Sequence, residues 1–262
     1  MKEFIRTMCI NNGIWIEKSM DKLQLREFIY TLRPMYTPSE LRRFGPKGDG
    51  GYIMPDDLDG VGGCVSPGVS TECGFDVQIA ELGIDVHLAD ASVSGPPVSH
   101  PKFTFSKLYV DTFDGVDTVT IDKFSRSISP GNDLILQMDI EGAEYRVLNS
   151  ASDRLLSRFR IMVIEFHSLA ALFTPFGFQE ISSVFRKLLS THNIVHIHPN
   201  NASTVISAGP IIIPQCMEFT FYRKDRSNFE YRSLRYPHPL DVKNVGDRRD
   251  IALPRCWCGP DA

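Results

Sequence analysis

Asp133-Leu134-Ile135-Leu136-Gln137-Met138-Asp139-Ile140-Glu141-Gly142-Ala143-Glu144-Tyr145-Arg146-Val147-Leu148 is the stretch from which the rest of the chain is read. It opens on a continuous apolar run, Leu134-Ile135-Leu136, crosses Gln137 and Met138, and ends in acids around a glycine. A short apolar run with polar punctuation reads as a strand buried on both faces, as in a parallel sheet. Beyond Gly142 the period turns helical, with Ala143, Val147 and Leu148 on one side. Asp139, Glu141 and Glu144 therefore fall where a strand gives way to a helix. In open α/β sheets ligands bind beyond the carboxyl ends of the strands. A carboxylate there either caps the helix N-terminus or faces a ligand.

The same alternation of apolar runs and helical periods extends in both directions. Upstream, Gly62–Ser70 reads as a strand entering a small-residue loop, Thr71–Leu82 as a buried helix, and Asp85–Asp90 as a second strand. This is a strand–loop–helix–strand unit of the size of a βαβ crossover. Its loop has Gly68 but not the full G-x-G-x-x-G of dinucleotide folds, so as a phosphate cradle it is a weak signal. Asp90, an acid at the end of the second strand, stands where such folds accept ribose hydroxyls. Lys102–Val110 reads as a third strand and Thr120–Ile128 as a helix.

Downstream, Arg160–His167 is a fifth strand ending in Glu165 and His167, which period two puts on one face. With strands four and five as neighbours, Asp139, Glu165 and His167 converge at one mouth of the sheet. A carboxylate beside an imidazole orients it and raises its basicity, as a general base needs. The same trio offers oxygen and nitrogen ligands to a divalent cation. Gln179–Leu189 is an amphipathic helix, and Asn193–Asn201 a sixth strand ending in His198, Asn200 and Asn201. Met217–Tyr222 alternates well, and its short connection suggests an antiparallel partner. Before the first strand, Asp21–Leu32 reads as a helix, Pro38–Arg42 as a short second one, and Arg43–Tyr52 as a glycine-rich loop. The fold expected is α/β: a doubly wound, mostly parallel seven-stranded sheet with an antiparallel last strand.

Composition bounds the function. The 262 residues are 42% hydrophobic and 23% charged, enough for a core without disulfides or metals. A formal charge of −4 with no long basic run argues against nucleic acid as the main partner. Arg223, Lys224, Arg226, Arg232 and Arg235 gather near the end; such an edge is more often solvated surface than an anion site. No window has the length of a transmembrane helix. Lys2, Glu3, Arg6, Asn11 and Glu17 interrupt the apolar residues a signal peptide would need. Cys9, Cys64, Cys73, Cys216, Cys256 and Cys258 lack the spacing of a zinc or redox site, so free thiols in a reducing, cytoplasmic compartment are expected.

Asp139-Ile140-Glu141-Gly142-Ala143-Glu144 resembles the D-[IV]-E-G-x-E hallmark of FkbM-type methyltransferases. Gly48-Asp49-Gly50-Gly51-Tyr52 resembles the D-G-G-Y segment of one branch of that family. Ile164-Glu165-Phe166-His167 and His198-Pro199-Asn200-Asn201 resemble its fifth and sixth strand endings. The resemblance implies a class I, Rossmann-like domain using S-adenosylmethionine to methylate a hydroxyl, often on a sugar or a glycosylated product. Residues 1–262 are expected to form a single domain with a helical segment (1–44), a core (45–222) and, where the sequence turns polar and proline-dotted, an extended tail laid over the surface (223–262).

By this similarity Ser66, Gly68 and Ser70 would approach the methionine part of the cofactor, Asp90 the ribose, and Asp49 the ammonium group. Ser66-Pro67-Gly68 departs from the family's usual glycine-rich loop. His167 is the first candidate for base, oriented by Asp139 and Glu165; in some relatives acids at these strand ends hold Mg²⁺ or another divalent cation. His198, Asn200 and Asn201 would line the side of a small-molecule or glycan acceptor. Glu144 reads as structural. No nucleic acid or membrane partner is expected, and a homo-oligomer stays open. Two other classes share the architecture: a nicotinamide-dependent oxidoreductase, which would want G-x-G-x-x-G, and a non-catalytic nucleotide-binding module.

Overall fold

Seven strands form one twisted sheet in the computed structural model, which describes residues 2–14, 16, 18–232 and 236–258. Glu17 and Arg235 of the sequence reading, and residues 259–262, lie outside the described residues. The strands are β1 (Val61–Pro67), β2 (Val86–Ala89), β3 (Phe103–Ser106), β4 (Asp133–Met138), β5 (Phe159–Phe166), β6 (His192–Pro199) and β7 (Met217–Arg223). Their spatial order is β6-β7-β5-β4-β1-β2-β3. β7 runs antiparallel to both β5 and β6, and the remaining pairs are parallel. The expected α/β class and the antiparallel last strand are thus what the chain adopts. The order reverses between β1 and β4, the crevice where open α/β sheets bind ligands.

The helices are α1 (Lys2–Asn11), α2 (Lys22–Thr31), α3 (Gly74–Glu81), α4 (Ile121–Ser125), α5 (Glu144–Ser150), α6 (Asp153–Leu156), α7 (Pro175–Thr191) and α8 (Arg255–Cys258). Period two sorts the strand side chains onto two cores. Leu134, Leu136, Met138, Met162, Ile164 and Phe166 join the core under α2, α5 and α7. Ile135, Ile161 and Val163 join the core under α3. Gln137 and Glu165 share the α3 face by the same alternation, so a polar row ends that side of the sheet.

Leu41–Phe44 is a strand paired antiparallel with Tyr52–Pro55, where a short helix was expected. Gly45, at φ +92°, would end any helix there, and pairing buries Phe44 completely. The glycine-rich segment is the connection of this hairpin, held by the Arg43 guanidinium donating to the Pro46 and Gly48 carbonyls. Lys102–Val110 is not one strand: the Leu108 amide donates to the Ser106 carbonyl, and Tyr109–Asp111 leaves the main sheet to pair with Thr118–Thr120.

The tail is not merely laid over the surface. Trp257 is fully buried and donates to the Ile212 carbonyl at 2.9 Å, while Asn244 is also buried. Among the described residues the basic edge is paired within the protein. Arg223 pairs with Asp133, Arg226 with Asp57 and Arg232 with Glu230, and Lys224 donates to the Leu189 carbonyl. The six cysteines are free thiols. Among the described residues no helix is long and apolar enough to cross a membrane.

Candidate active site

The loops leaving β1 and β4 touch at the switch point. Gly68 sits at φ +96°, and a Cβ built on it would lie 1.6 Å from the Asp139 carbonyl oxygen. Only glycine permits both the left-handed backbone and this approach. The Asp139 amide in turn donates to the Pro67 carbonyl. The first loop therefore rests directly on the end of β4, and Asp139 projects from that junction.

The turn that follows explains the spacing of the three acids. Glu141 and Gly142 are both left-handed, at φ +55° and +100°. This reverses the chain so that Glu144, in the first turn of α5, folds back beneath it. Glu144 Oε1 accepts from the Ile140 and Gly142 amides at 3.1 and 3.0 Å. Glu141 points outward and caps nothing; Ala143 is the N-cap and makes no side-chain bond.

Around His167 four carboxylates close in. Nδ1 lies 3.2 Å from Glu144 Oε1, and Nε2 lies 3.5 Å from Glu165 Oε1, 3.5 Å from Glu141 Oε2 and 3.8 Å from Asp139 Oδ1. β5 ends at Phe166, so His167 reaches the cluster from the following loop, and Ser168 turns left-handed after it. Burial opposes charge on the ring, but Glu144 and the surrounding acids outweigh it and lift the His167 pKa to about 9. Burial first, then Glu165, pushes Asp139 up to about 8. Burial and Glu218 push Glu165 up to about 7. The acids repel one another, and one imidazolium cannot neutralise them all. The cluster thus exchanges protons near neutrality and attracts positive charge.

Asp139 borders two cavities. One, of about 400 Å³, is lined by Gly68, Ser70, Asp90, Ser92, Tyr109, Val110, Asp111, Ile140, Glu141, Ala143 and Arg146 among others. The smaller, of about 110 Å³, is lined by Asp49, Tyr52, Gly68, Ser70, Glu72, Asp76, Gln137, Asp139 and Glu141 among others. The two share Gly68, Ser70, Asp139 and Glu141, so they adjoin along one wall.

The larger cavity has a mixed polar and apolar wall. Asp90 lies there, but its oxygens already accept from the Ser70 amide, the Ser92 amide and the Ser92 hydroxyl. It fixes the loop while bordering the cavity. Asp111 and Arg146 form a two-bond ion pair at the rim, at 2.9 and 3.0 Å.

Of the other predicted residues, Ser66 is fully buried and donates to Gln137 Oε1, one layer behind the small cavity. Asp49 lines that cavity and accepts from Asn244 of the tail at 3.2 Å. His198, Asn200 and Asn201 lie inside the protein, not on an open acceptor face. Asn200 donates to Glu165 Oε1, His198 Nδ1 lies 3.5 Å from Glu218 Oε2, and Asn201 holds the tail through the Val245 amide and carbonyl.

Among the described residues two donor sets have metal-binding proximity. Asp139, Glu144 and His167 place ligand atoms within 4.8 Å of one another, and so do Glu165, His167 and Cys216. Asp139 Oδ1 and Glu144 Oε2 are buried without a hydrogen-bond partner. The second set includes a thiol that already donates to Glu165 at 2.9 Å. Mixed N, O and S donors suit a transition ion better than Mg²⁺, which prefers oxygen and water.

Sequence reasoning missed Asp76, Asp111, Arg146 and the orienting part of Glu144. For Glu144 a signal existed: an acid two residues past a glycine at a strand-to-helix turn can bond back to that turn's amides.

Residues 76–190 match the family model described as the methyltransferase FkbM domain. No curated protein matches the chain. Among solved structures, one similar chain is a proposed prophage-encoded DNA modification methyltransferase from E. coli, at 14% identity and TM-score 0.38. The match covers 62% of this chain and 47% of that one, so this chain spans about half of that relative's length. A second is a proposed RNA methyltransferase from Pyrococcus horikoshii, at 11% identity and TM-score 0.31, covering 77% and 98%. A third comes from work on the conversion of a disulfide bond into a thioacetal group during echinomycin biosynthesis, at 13% and 0.31, covering 66% and 80%.

Proposed function

We propose that this chain, which carries a methyltransferase FkbM domain over residues 76–190, transfers a methyl group from S-adenosylmethionine to a hydroxyl of a sugar or glycosylated product. The domain implies the cofactor; the hydroxyl acceptor is our reading. One observation supports it above the others: Asp139 borders both cavities and lies 3.8 Å from His167. A ligand-binding crevice and a proton-accepting cluster thus share one residue.

When bound, S-adenosylmethionine supplies an electrophilic methyl on a cationic sulfur. The larger cavity, with Val110, Ile140 and Ala143 beside Asp90, suits an adenosine, and the acidic smaller one suits a charged amino-acid end. Methyl transfer gains most of its acceleration from in-line positioning, for which the Gly68 and Asp139 backbones provide a rigid seat. A sugar hydroxyl is a poor nucleophile until a base takes its proton. His167 and Asp139 both have raised proton affinity; Asp139 borders the crevice, and His167 lies 3.8 Å from Asp139. Both lose part of that affinity when positive charge lies next to them. Glu144 fixes the ring from Nδ1, and Nε2 faces Asp139 on the crevice side.

Asp139, Glu144 and His167 are also the residues that would hold a divalent cation, which lowers the pKa of a coordinated hydroxyl. The test is a labelled-methyl transfer screen over free sugars, nucleotide sugars and glycans, with Mg²⁺ and with EDTA. Transfer to a hydroxyl is expected. Transfer confined to nitrogen or sulfur acceptors, or NADH binding in place of S-adenosylhomocysteine, overturns the reading.

A further inference from the structure

The smaller cavity is chemically one-sided. Its wall holds five carboxylates, Asp49, Glu72, Asp76, Asp139 and Glu141, and among the described residues no Lys, Arg or His. Such a wall selects a cation. The five are not equivalent. Asp49 is exposed and bonded to Asn244, Glu72 is exposed and accepts from the Gly74 amide, and the Glu141 side chain is 86% exposed. Asp139 faces His167.

Asp76 differs from all of them. It lies in the first turn of α3, is only 4% exposed, and its Oδ1 is buried with no hydrogen-bond partner. The Ser66 hydroxyl nearby gives its proton to Gln137. Buried polar atoms are normally satisfied, and an orphaned carboxylate oxygen on a residue that lines a cavity calls for a donor. Burial pushes this carboxyl up to about 7, and a positive charge beside it would bring it back down.

We propose that Asp76 receives the primary ammonium at the amino-acid end of the bound cofactor, in the cavity next to Asp139. This rests on the S-adenosylmethionine reading above and gives the ammonium a different partner from Asp49. An ammonium has three donors and no acceptor, so it satisfies the free oxygen and neutralises the charge together. The remaining acids of the wall give the field that draws it in, without being its direct partners.

Calorimetric titration near neutral pH tests this with three ligands: S-adenosylhomocysteine, its analogue lacking the amino group, and 5′-methylthioadenosine, which lacks the amino-acid end. For the wild type, removing the amino group should weaken binding by roughly 10–100-fold, the range of a hydrogen bond to a charged group. Asp76→Asn should weaken S-adenosylhomocysteine by a similar factor and leave 5′-methylthioadenosine within about twofold. Asp49→Asn should weaken S-adenosylhomocysteine less than Asp76→Asn does, since it removes only part of the attracting field, and should leave 5′-methylthioadenosine nearly unchanged. The wild-type comparison needs no variant to fold.

Equal losses for both ligands in Asp76→Asn, no loss for either, or a loss that appears in Asp49→Asn instead each overturn the assignment. A wild type that binds none of the three overturns the cofactor reading itself, a result distinct from those.

Discussion

Glu144 Oε1 lies 3.2 Å from His167 Nδ1, and the same oxygen accepts two amides of the turn after β4. One buried carboxylate thereby ties the end of β4 to the end of β5. Glu144→Gln keeps the shape and the amide contacts but removes the charge facing the ring. The His167 pKa should fall from about 9 toward its ordinary value, by roughly one unit. An NMR titration of the His167 ring reads this directly; an unchanged pKa would mean that the other three acids set it. Glu144→Ala also orphans the two amides and should cost about 2–3 kcal/mol of stability in urea unfolding.

His167→Ala and Asp139→Ala should each lower turnover by about 10²–10⁴-fold, the usual range for a lost acid–base group. S-adenosylhomocysteine binding should largely survive both, since Asp139 is one of several polar side chains along the cavities and His167 is not among their lining residues. Single-turnover methyl transfer with parallel calorimetry separates the effects. Loss of binding in both variants, with the fold intact, would make them cofactor ligands instead of proton-handling groups.

The sheet was legible because its cues are local: apolar runs of strand length, helical periods between them and acids at strand ends. The nearness of Asp139, Glu165 and His167 followed from placing β4 beside β5, which the structure does. Glu144 was half legible. Its orienting role depends on consecutive left-handed residues, and Glu141 gives no sign of φ +55°. Asp76 reads as an ordinary first-turn acid favoured by the helix dipole; only the packing of Ser66 and Gln137 shows that its oxygen is stranded. Asn200 and Asn201 look like turn residues whether they face solvent or a tail. Trp257 stands in a polar, proline-dotted segment with no period to reveal what it buries.

Stability should fall as pH rises above neutrality. Asp139, Glu165 and Asp76 have folded pKa values of about 8, 7 and 7 against ordinary values of 3.8, 4.5 and 3.8. His167 stands at about 9 against 6.5. All four bind more protons folded than unfolded, so the slope of unfolding free energy with pH is negative in this window. Asp133 and Asp57 are shifted down, so their stabilising contribution is lost only in acid. His192, held near 4 by burial, favours higher pH only below its ordinary 6.5. Thermal scans of the ligand-free protein between about pH 6.5 and 9 should show a falling Tm. Asp139→Asn should flatten the slope, and a rising Tm would contradict the proton-holding cluster.

Trp257 tests whether the tail belongs to the core. Its side chain is fully buried and bonded to the Ile212 carbonyl. Trp257→Ala should cost about 3–5 kcal/mol in urea unfolding, as for other large-to-small core changes. A cost below about 1 kcal/mol is what a tail resting on the surface would give.

Gly68 is the position where the fold and the site make the same demand. Its φ of +96° disfavours any side chain, and the 1.6 Å approach of a Cβ to the Asp139 carbonyl forbids one unless the backbone moves. Gly68→Ala therefore cannot be absorbed by a rotamer change; either the β1 loop lifts or the turn after β4 shifts. The strain of the left-handed residue alone costs roughly 1–2 kcal/mol, and the clash adds to it. Both cavities share Gly68 and Asp139, so either movement displaces the seat of the ligand. The expected result is a folded but less stable protein whose affinity for S-adenosylhomocysteine falls more steeply than its Tm. Gly142→Ala is the control. Gly142 is also left-handed, at φ +100°, but a Cβ there meets nothing within 4 Å. It should show the stability loss with a smaller loss of binding. Equal binding losses in the two variants would mean that backbone conformation, and not the contact between the two loops, shapes the crevice.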